Sequence, residues 1–287
     1  MTIDYETLLH FPIPEVRQRL TARDTVLYAL SVGLGQDPLD TRQLDFVDAH
    51  RTLRALPSMA VVLGHPGFWV ADPRTGIDAV RVVHGEQGMV MHKPLPAEGE
   101  VIGRTRVTGL VDKGPGRGAL LYTEKQVLDA ANGALLATTT STTFLRGDGG
   151  FGGPAGPVRP PQPAPSGTPD HAVDLPTRPE QALLYRLNGD DNPLHADPAV
   201  AVAAGFPRPI LHGLATLGVV AHALLRILAG YDPGRVRSLD LRFSAPVYPG
   251  ETIRTEIWND GGFQARVVER DALVISNGRF TADGNHA

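Results

Sequence analysis

The stretch Gly213-Leu-Ala-Thr-Leu-Gly-Val-Val-Ala-His-Ala-Leu-Leu-Arg-Ile-Leu-Ala229 is followed at once by Gly230. Leu214, Leu217, Ala221, Leu224, Leu225 and Leu228 recur at helical spacing, and most of the remaining positions are apolar too. A helix that is apolar nearly all round belongs in an interior, and Gly230 supplies its stop. Beyond it the period changes. Leu239, Leu241 and Phe243 alternate with polar residues, as do Ile253 and Ile257, which is the pattern of half-buried strands. Asp260-Gly-Gly262 is a hairpin signal, and residues 263–268 and 272–281 read as further strands. A buried helix followed by an antiparallel meander predicts an α+β fold in which a sheet wraps around the helix.

Upstream lies the densest chemistry of the chain. Residues 180–187 read as a helix that fails at Asn188-Gly189. The motif Tyr185-Arg-Leu-Asn-Gly-Asp190-Asp-Asn192-Pro-Leu-His195-Ala-Asp197-Pro198 then packs an acid, an amide and an imidazole around a proline. On one helix Asp190 and His195 would point in different directions; with Gly189 and Pro193 breaking it, a loop can bring both to one water. An imidazole exchanges protons near neutrality, a carboxylate can hold and orient the same water, and Asn192 can donate to a carbonyl. Gly213 opens the long helix, where the first amides lack intrahelical partners and lie at the positive end. With no side chain, it lets a substrate carbonyl approach its N–H. Together these supply a proton-transfer pair and an oxyanion donor.

Several of these residues also have plainer readings. Asp190 and Asp191 are ordinary Asx-turn residues when taken without the rest of the motif. Asp197, before Pro198, reads as a helix cap. His212 reads as an interior histidine or a neighbour that shapes the substrate. Arg208, between two prolines, is a solvated loop charge or a phosphate contact. The apolar stripe after Gly213 is core.

The 287 residues are 42% hydrophobic and 20% charged, with a formal net charge of −4 and no cysteine. That charge excludes a strong footprint for nucleic acid or anionic membrane. Without cysteine there is no disulfide framework, thiolate zinc site or cysteine nucleophile. No run approaches the ~18 apolar residues of a membrane span. The N-terminal Met1-Thr-Ile-Asp-Tyr-Glu is not a secretory signal, and Asn285-His-Ala287 is not a peroxisomal address. A cytosolic protein is the expectation.

Residues 147–180 are rich in glycine and proline and read as a connector between halves 1–146 and 181–287. The halves echo each other in one order. Leu27-Tyr28-Ala-Leu30 parallels Leu184-Tyr185-Arg-Leu187, Asp37-Pro38-Leu39-Asp40 parallels Asn192-Pro193-Leu194-His195, and Lys93-Pro94-Leu-Pro-Ala-Glu-Gly99-Glu100 parallels Ala245-Pro246-Val-Tyr-Pro-Gly250-Glu251. In the first half a helix is expected at about 22–34, with strands at 103–111, 118–128 and 134–145. Asp40 stands where the second half has His195, so only the second half retains the chemistry.

The 185–198 motif, with Gly205-Phe-Pro-Arg-Pro-Ile-Leu-His-Gly213, resembles the signature of MaoC-like enoyl-CoA hydratases of the (R)-specific hydratase 2 type. His84-Gly85-Glu86-Gln87, Lys93-Pro94-Leu95-Pro96, Val111-Asp112-Lys113-Gly114 and Gly149-Gly-Phe-Gly-Gly153 extend the resemblance to the two-domain members. It runs from about Glu6 to Thr281, with residues 154–179 matching less well. The resemblance implies a double hot-dog fold, two antiparallel sheets each wrapped around a helix. It implies syn hydration of a trans-2-enoyl-CoA to the (3R)-3-hydroxyacyl-CoA without metal or redox cofactor, coenzyme A being part of the substrate. It makes Asp190 and His195 the catalytic pair, Asn192 their polar neighbour and Gly213 the oxyanion donor. It places His84, Gly85, Lys113 and Phe243 along the substrate, and gives the first half the role of accommodating the acyl chain. A homodimer is the expected assembly. Asn188 and Asp191 depart from the usual residues, which bears on acyl preference and not on reaction type. Hot-dog folds also host thioesterases and non-catalytic acyl-CoA-binding subunits, and these stay open as alternatives.

Overall fold

The computed structural model describes residues 2–284; the C-terminal tripeptide read above lies outside them. The first half contains β1 (Val16–Leu20), β2 (Val82–Met91), β3 (Gly99–Asp112), β4 (Ala119–Asp129) and β5 (Leu135–Leu145). The second contains β6 (His171–Pro176), β7 (Val236–Phe243), β8 (Thr252–Ile257), β9 (Gly262–Val267) and β10 (Ala272–Ala282). The helices are α1 (Tyr5–Leu9), α2 (Ala22–Ser31), α3 (Leu44–Val47), α4 (Gln181–Arg186), α5 (Pro198–Ala203) and α6 (Gly213–Leu228).

All strands join one ten-stranded sheet ordered β1-β3-β4-β5-β2-β7-β10-β9-β8-β6. Counted from either outer edge, each half runs first, third, fourth, fifth, second. The duplication read from three short echoes is therefore carried by the whole topology, and the architecture is a double hot-dog.

Three details differ from expectation. The two sheets are continuous, because β2 pairs antiparallel with β7 from Glu86↔Arg242 to Val90↔Ser238. A sheet ending at β2 or β7 would leave a long open edge, and mutual pairing satisfies its N–H and C=O groups. Also, only the second half has a long central helix. Between its first and second strands the second half has α4, α5 and the long α6, whereas the first has α2, α3 and short 3-10 turns, of which Pro57–Val61 packs against α6. The expected helix at 22–34 exists, as α2, but it is the counterpart of α4 and stops at Val32, before Gly33 with its φ of +92°. In addition, His171–Pro176, expected as connector, forms the edge strand β6 against β8.

α6 is the hub of the core. Leu217 and Leu224 are fully buried, and a Cβ added at Gly218 would lie 2.4 Å from Val32 Cγ1, so α6 packs directly on the end of α2. One hydrophobic cluster runs through both halves, from Leu20 and Val127 to Ile257 and Val274. A second, around Leu8, Phe11, Val107 and Leu121, sits beneath α1 and the Trp69–Ala71 turn. Among the described residues no helix is long and apolar enough to cross a membrane.

Candidate active site

The loop after α4 is fixed at both ends. Asn188 Nδ2 donates to Tyr185 O (2.9 Å) and to Ser31 Oγ (3.0 Å), tying the loop to α2 of the first half. Arg186 donates to Asp191 O at 2.8 Å. Gly189 turns the chain with a φ of +103°, a conformation that suits glycine. The Asp190 carboxylate accepts from Asn192 N at 3.2 Å, and Asn192 Oδ1 accepts from Leu194 N at 3.0 Å. Asn192 thus caps the 3-10 turn Pro193–His195, with Pro193 at its first position. Its amide oxygen is engaged by that cap, and its Nδ2 remains as a donor.

The turn carries His195 inward, to 9% exposure. Nδ1 donates to Ile210 O at 2.9 Å, which fixes the tautomer and leaves the lone pair on Nε2. The Asp190 carboxylate and one ring nitrogen each of His195 and His212 lie within 4.8 Å of one another. A single water can bond two groups at that spacing. These are also donor types that a transition metal accepts. Burial lowers the His195 pKa, opposed by the Ile210 carbonyl and the Asp190 charge.

His212 is buried and lies between two rings. Its centroid is 3.7 Å from that of His195 and 5.0 Å from that of Tyr185. Burial, and then the neighbouring His195, pull its pKa to about 4, so it is neutral at physiological pH. Of the two readings offered by the sequence, the geometry favours a rigid plate behind His195.

Gly213 begins α6, and the His212 side chain makes no capping bond there. A Cβ at Gly213 would sit 3.4 Å from the Phe243 ring. That ring meets His84 edge-on at 4.9 Å. Gly85 lies in a bulge, since His84 pairs with Thr143 but Glu86 with Thr142. His84 Nε2 donates to Glu86 O at 3.1 Å. Burial takes the His84 pKa to about 4 against the Glu86 and Gln87 contacts and the Asp190 charge, so β2 reaches the field of the Asp190 loop. Lys113 follows β3, is exposed, and holds Nζ 5.4 Å from the Phe144 ring centroid. Phe144 pairs with Val83, beside His84. Gly213, Phe243, His84 and Gly85 therefore follow one another at this end of the sheet, while Lys113 stands at the same end over Phe144, whose neighbour Thr143 is the residue that pairs with His84. Arg208 stands apart from them. It donates to Pro249 O at 3.3 Å and lies 5.1 Å over the Tyr248 ring.

Two residues of the first half escaped the sequence reading. His65 accepts from Gly67 N at Nδ1 (3.1 Å), which places its proton on Nε2. It is solvent-accessible yet surrounded by protein on most sides; burial and then the Lys125 charge lower its pKa to about 4, against the pull of Asp190. Lys125, only 5% exposed, donates from Nζ to Val61 O (2.9 Å) and Leu63 O (2.6 Å), and burial brings its pKa to about 7. A cavity of about 160 Å³ separates this segment from the loop after α4, with Leu27, Met59, Val62, Leu63, Leu187 and Gly189 among its walls. A lysine inside an alternating strand pattern was the one available signal.

A doubled hot-dog sheet, with an aspartate–histidine pair beside an uncapped helix start, defines a hot-dog dehydratase class. Residues 19–147 match the MFE-2 hydratase 2 N-terminal domain, and residues 161–278 match the MaoC like domain. The chain is 42% identical over 271 residues to 3-hydroxyacyl-thioester dehydratase Y of Mycobacterium tuberculosis, covering 88% of this chain and 92% of that one. It is 38% identical over 293 residues to a peroxisomal enoyl-CoA hydratase 2 of Arabidopsis thaliana, covering 94% and 93%. The crystal structure of a MaoC-like dehydratase from Phytophthora capsici matches with a TM-score of 0.83 at 33% identity, covering 96% of this chain and 98% of that one. The chain belongs to the MaoC-like, hydratase 2 family of double hot-dog proteins.

Proposed function

We propose that this protein is an enzyme that reversibly hydrates a trans-2-enoyl-CoA to the (3R)-3-hydroxyacyl-CoA. The observation that carries the proposal is the Asp190 carboxylate and His195 imidazole lying close enough to share one water, beside the uncapped start of α6. The names of the relatives, enoyl-CoA hydratase and 3-hydroxyacyl-thioester dehydratase, describe the two directions of such a reaction.

In the hydration direction Asp190 and His195 Nε2 hold the water, whose oxygen attacks C3. Electron density moves through C2 to the thioester oxygen, where the Gly213 N–H stabilises it. The proton taken from the water returns to C2 on the same face. Positioned acid–base assistance contributes about 10²–10⁴ in rate, and one oxyanion donor roughly 3 kcal/mol. His84, Gly85 and Phe243 line the thioester and acyl portion, and Lys113 meets the phosphates of coenzyme A. Arg208, held against Tyr248 and Pro249, is a weaker candidate for the same phosphates. The reaction as proposed requires no metal or redox cofactor. We take the protein to be a cytosolic homodimer, which cell fractionation and sedimentation would check.

The test is a spectrophotometric assay with short- and long-chain trans-2-enoyl-CoA. Loss of the enoyl-thioester absorbance, a 3R product and no free thiol is the expected result. Asp190→Asn and His195→Gln should each lower turnover by at least about 10²-fold while the melting temperature stays put. Near-normal rates in either variant would overturn the assignment. Release of free thiol would indicate a thioesterase, and binding without turnover an acyl-CoA-binding subunit.

A further inference from the structure

Asp112 closes β3 and is only 6% exposed. Its partners are backbone N–H groups. Gly114 N and Gly150 N donate to Oδ1 at 2.8 and 2.7 Å, and Gly152 N donates to Oδ2 at 2.8 Å. Its own N–H donates to Pro154 O at 2.8 Å. Burial pushes its pKa up, but the backbone bonds outweigh it and leave the net shift downward, so the carboxylate is charged.

These bonds join two segments distant in sequence: the 113–118 turn between β3 and β4, and the 149–153 glycine run after β5. The segments are in close contact. A Cβ at Gly149 would lie 2.2 Å from Gly114 O and 2.7 Å from Gly118 N. Closing one turn needs only a hydroxyl or an amide oxygen. Here Oδ1 alone bridges the two segments, and the third donor, Gly152 N, needs an accepting second oxygen, which an amide side chain lacks; a buried charge is tolerated only because N–H groups meet it. The joined turn carries Lys113 and Arg117, both exposed. Lys113 N donates to Gly118 O at 3.1 Å, so its backbone is fixed while its side chain reaches solvent along Phe144.

We propose that Asp112 is a positioning residue for the phosphates of the nucleotide end of coenzyme A. It locks the 113–117 turn so that the Lys113 and Arg117 cations are already in place when the substrate arrives. The proposal rests on the reading that the substrate is a CoA thioester. It predicts a defect confined to the phosphate-bearing half of that substrate.

The experiment compares wild type, Asp112→Asn, Lys113→Met and the double variant. Each is assayed with one trans-2-enoyl group carried either on CoA or on N-acetylcysteamine, which has no phosphates. Calorimetric binding of free CoA provides a readout independent of turnover. Asp112→Asn should raise KM for the CoA thioester about tenfold with kcat held, weaken free CoA binding by a similar factor, and leave kcat/KM for the N-acetylcysteamine thioester within about twofold. The double variant should be less impaired than the two single effects combined, since Asp112→Asn acts in part through Lys113 and in part through Arg117. Equal loss on both thioesters, unchanged CoA affinity, or additive effects in the double variant would overturn the proposal. If wild type binds CoA but turns over neither thioester, the hydratase reading fails, and the CoA affinity of Asp112→Asn still decides the role of Asp112. If Asp112→Asn does not fold, the proposal stands or falls on Lys113→Met, which must show the same CoA-specific defect.

Discussion

In the proposed mechanism His195 takes a proton from water and must be neutral to do so, and its surroundings favour that state. Burial disfavours the imidazolium more than the Ile210 carbonyl and Asp190 favour it, so its folded pKa lies below the ordinary histidine value. The hydration rate should then hold as the pH falls from 8 to about 6.5 and decline only below that, since protonation removes the base. A kcat/KM profile of wild type checks this; an acid limb centred above the ordinary histidine value would contradict it. Asp190, Asn192, His195 and Gly213 could be found in the sequence because a glycine and a proline break the helix among them and confine them to one loop and the helix that follows. His65, His84 and Phe243 reach the same region through tertiary packing, which no spacing encodes. His84 was reached only by resemblance, and His65 not at all.

The two halves share one topology but differ in the element between their first and second strands. α6 is a sixteen-residue helix, long enough to show its period and be recognised. Pro57–Val61 spans five residues, too few for any period, and β1 and β6 are edge strands of only five and six residues. These were missed, as were α1, α3 and the ten-residue β2. The short turn has an unusual support, since Lys125 donates to Val61 O and Leu63 O where a longer helix would continue its own ladder. Lys125 titrates near 7 in the folded protein and near 10.4 when unfolded. Between those values the unfolded chain binds more protons, so this group's contribution to stability is full above about pH 10 and is lost as the pH falls toward 7. Wild type should therefore gain stability between pH 7 and 9 relative to Lys125→Met, by an amount on the order of 2 kcal/mol. Parallel denaturation midpoints across that range would show that Lys125 does not carry the burial penalty assigned to it.

The whole molecule is joined along β2 and β7. Met89 faces Leu239 across that seam, and Gly88 faces Asp240 so closely that a Cβ would lie 2.6 Å from Oδ1. With one sheet and a core cluster running through both halves, the chain should unfold in a single step despite its two-part sequence. Scanning calorimetry should give equal calorimetric and van 't Hoff enthalpies, and two resolved transitions would refute the unity of the sheet. Duplication was legible because its echoes are local and keep their order. The seam was not, because nothing in β2 or β7 marks the partner that each finds across the connector. The unequal midsections have a consequence for how such a chain changes over generations. Under the proposed mechanism one copy is bound to the reaction through Asp190, His195 and Gly213. The other has a short buried turn whose last carbonyls Lys125 holds, and it carries none of those groups. A replacement there is constrained by packing and not by proton transfer, so under that mechanism a lineage can vary this half while its chemistry stays in the other.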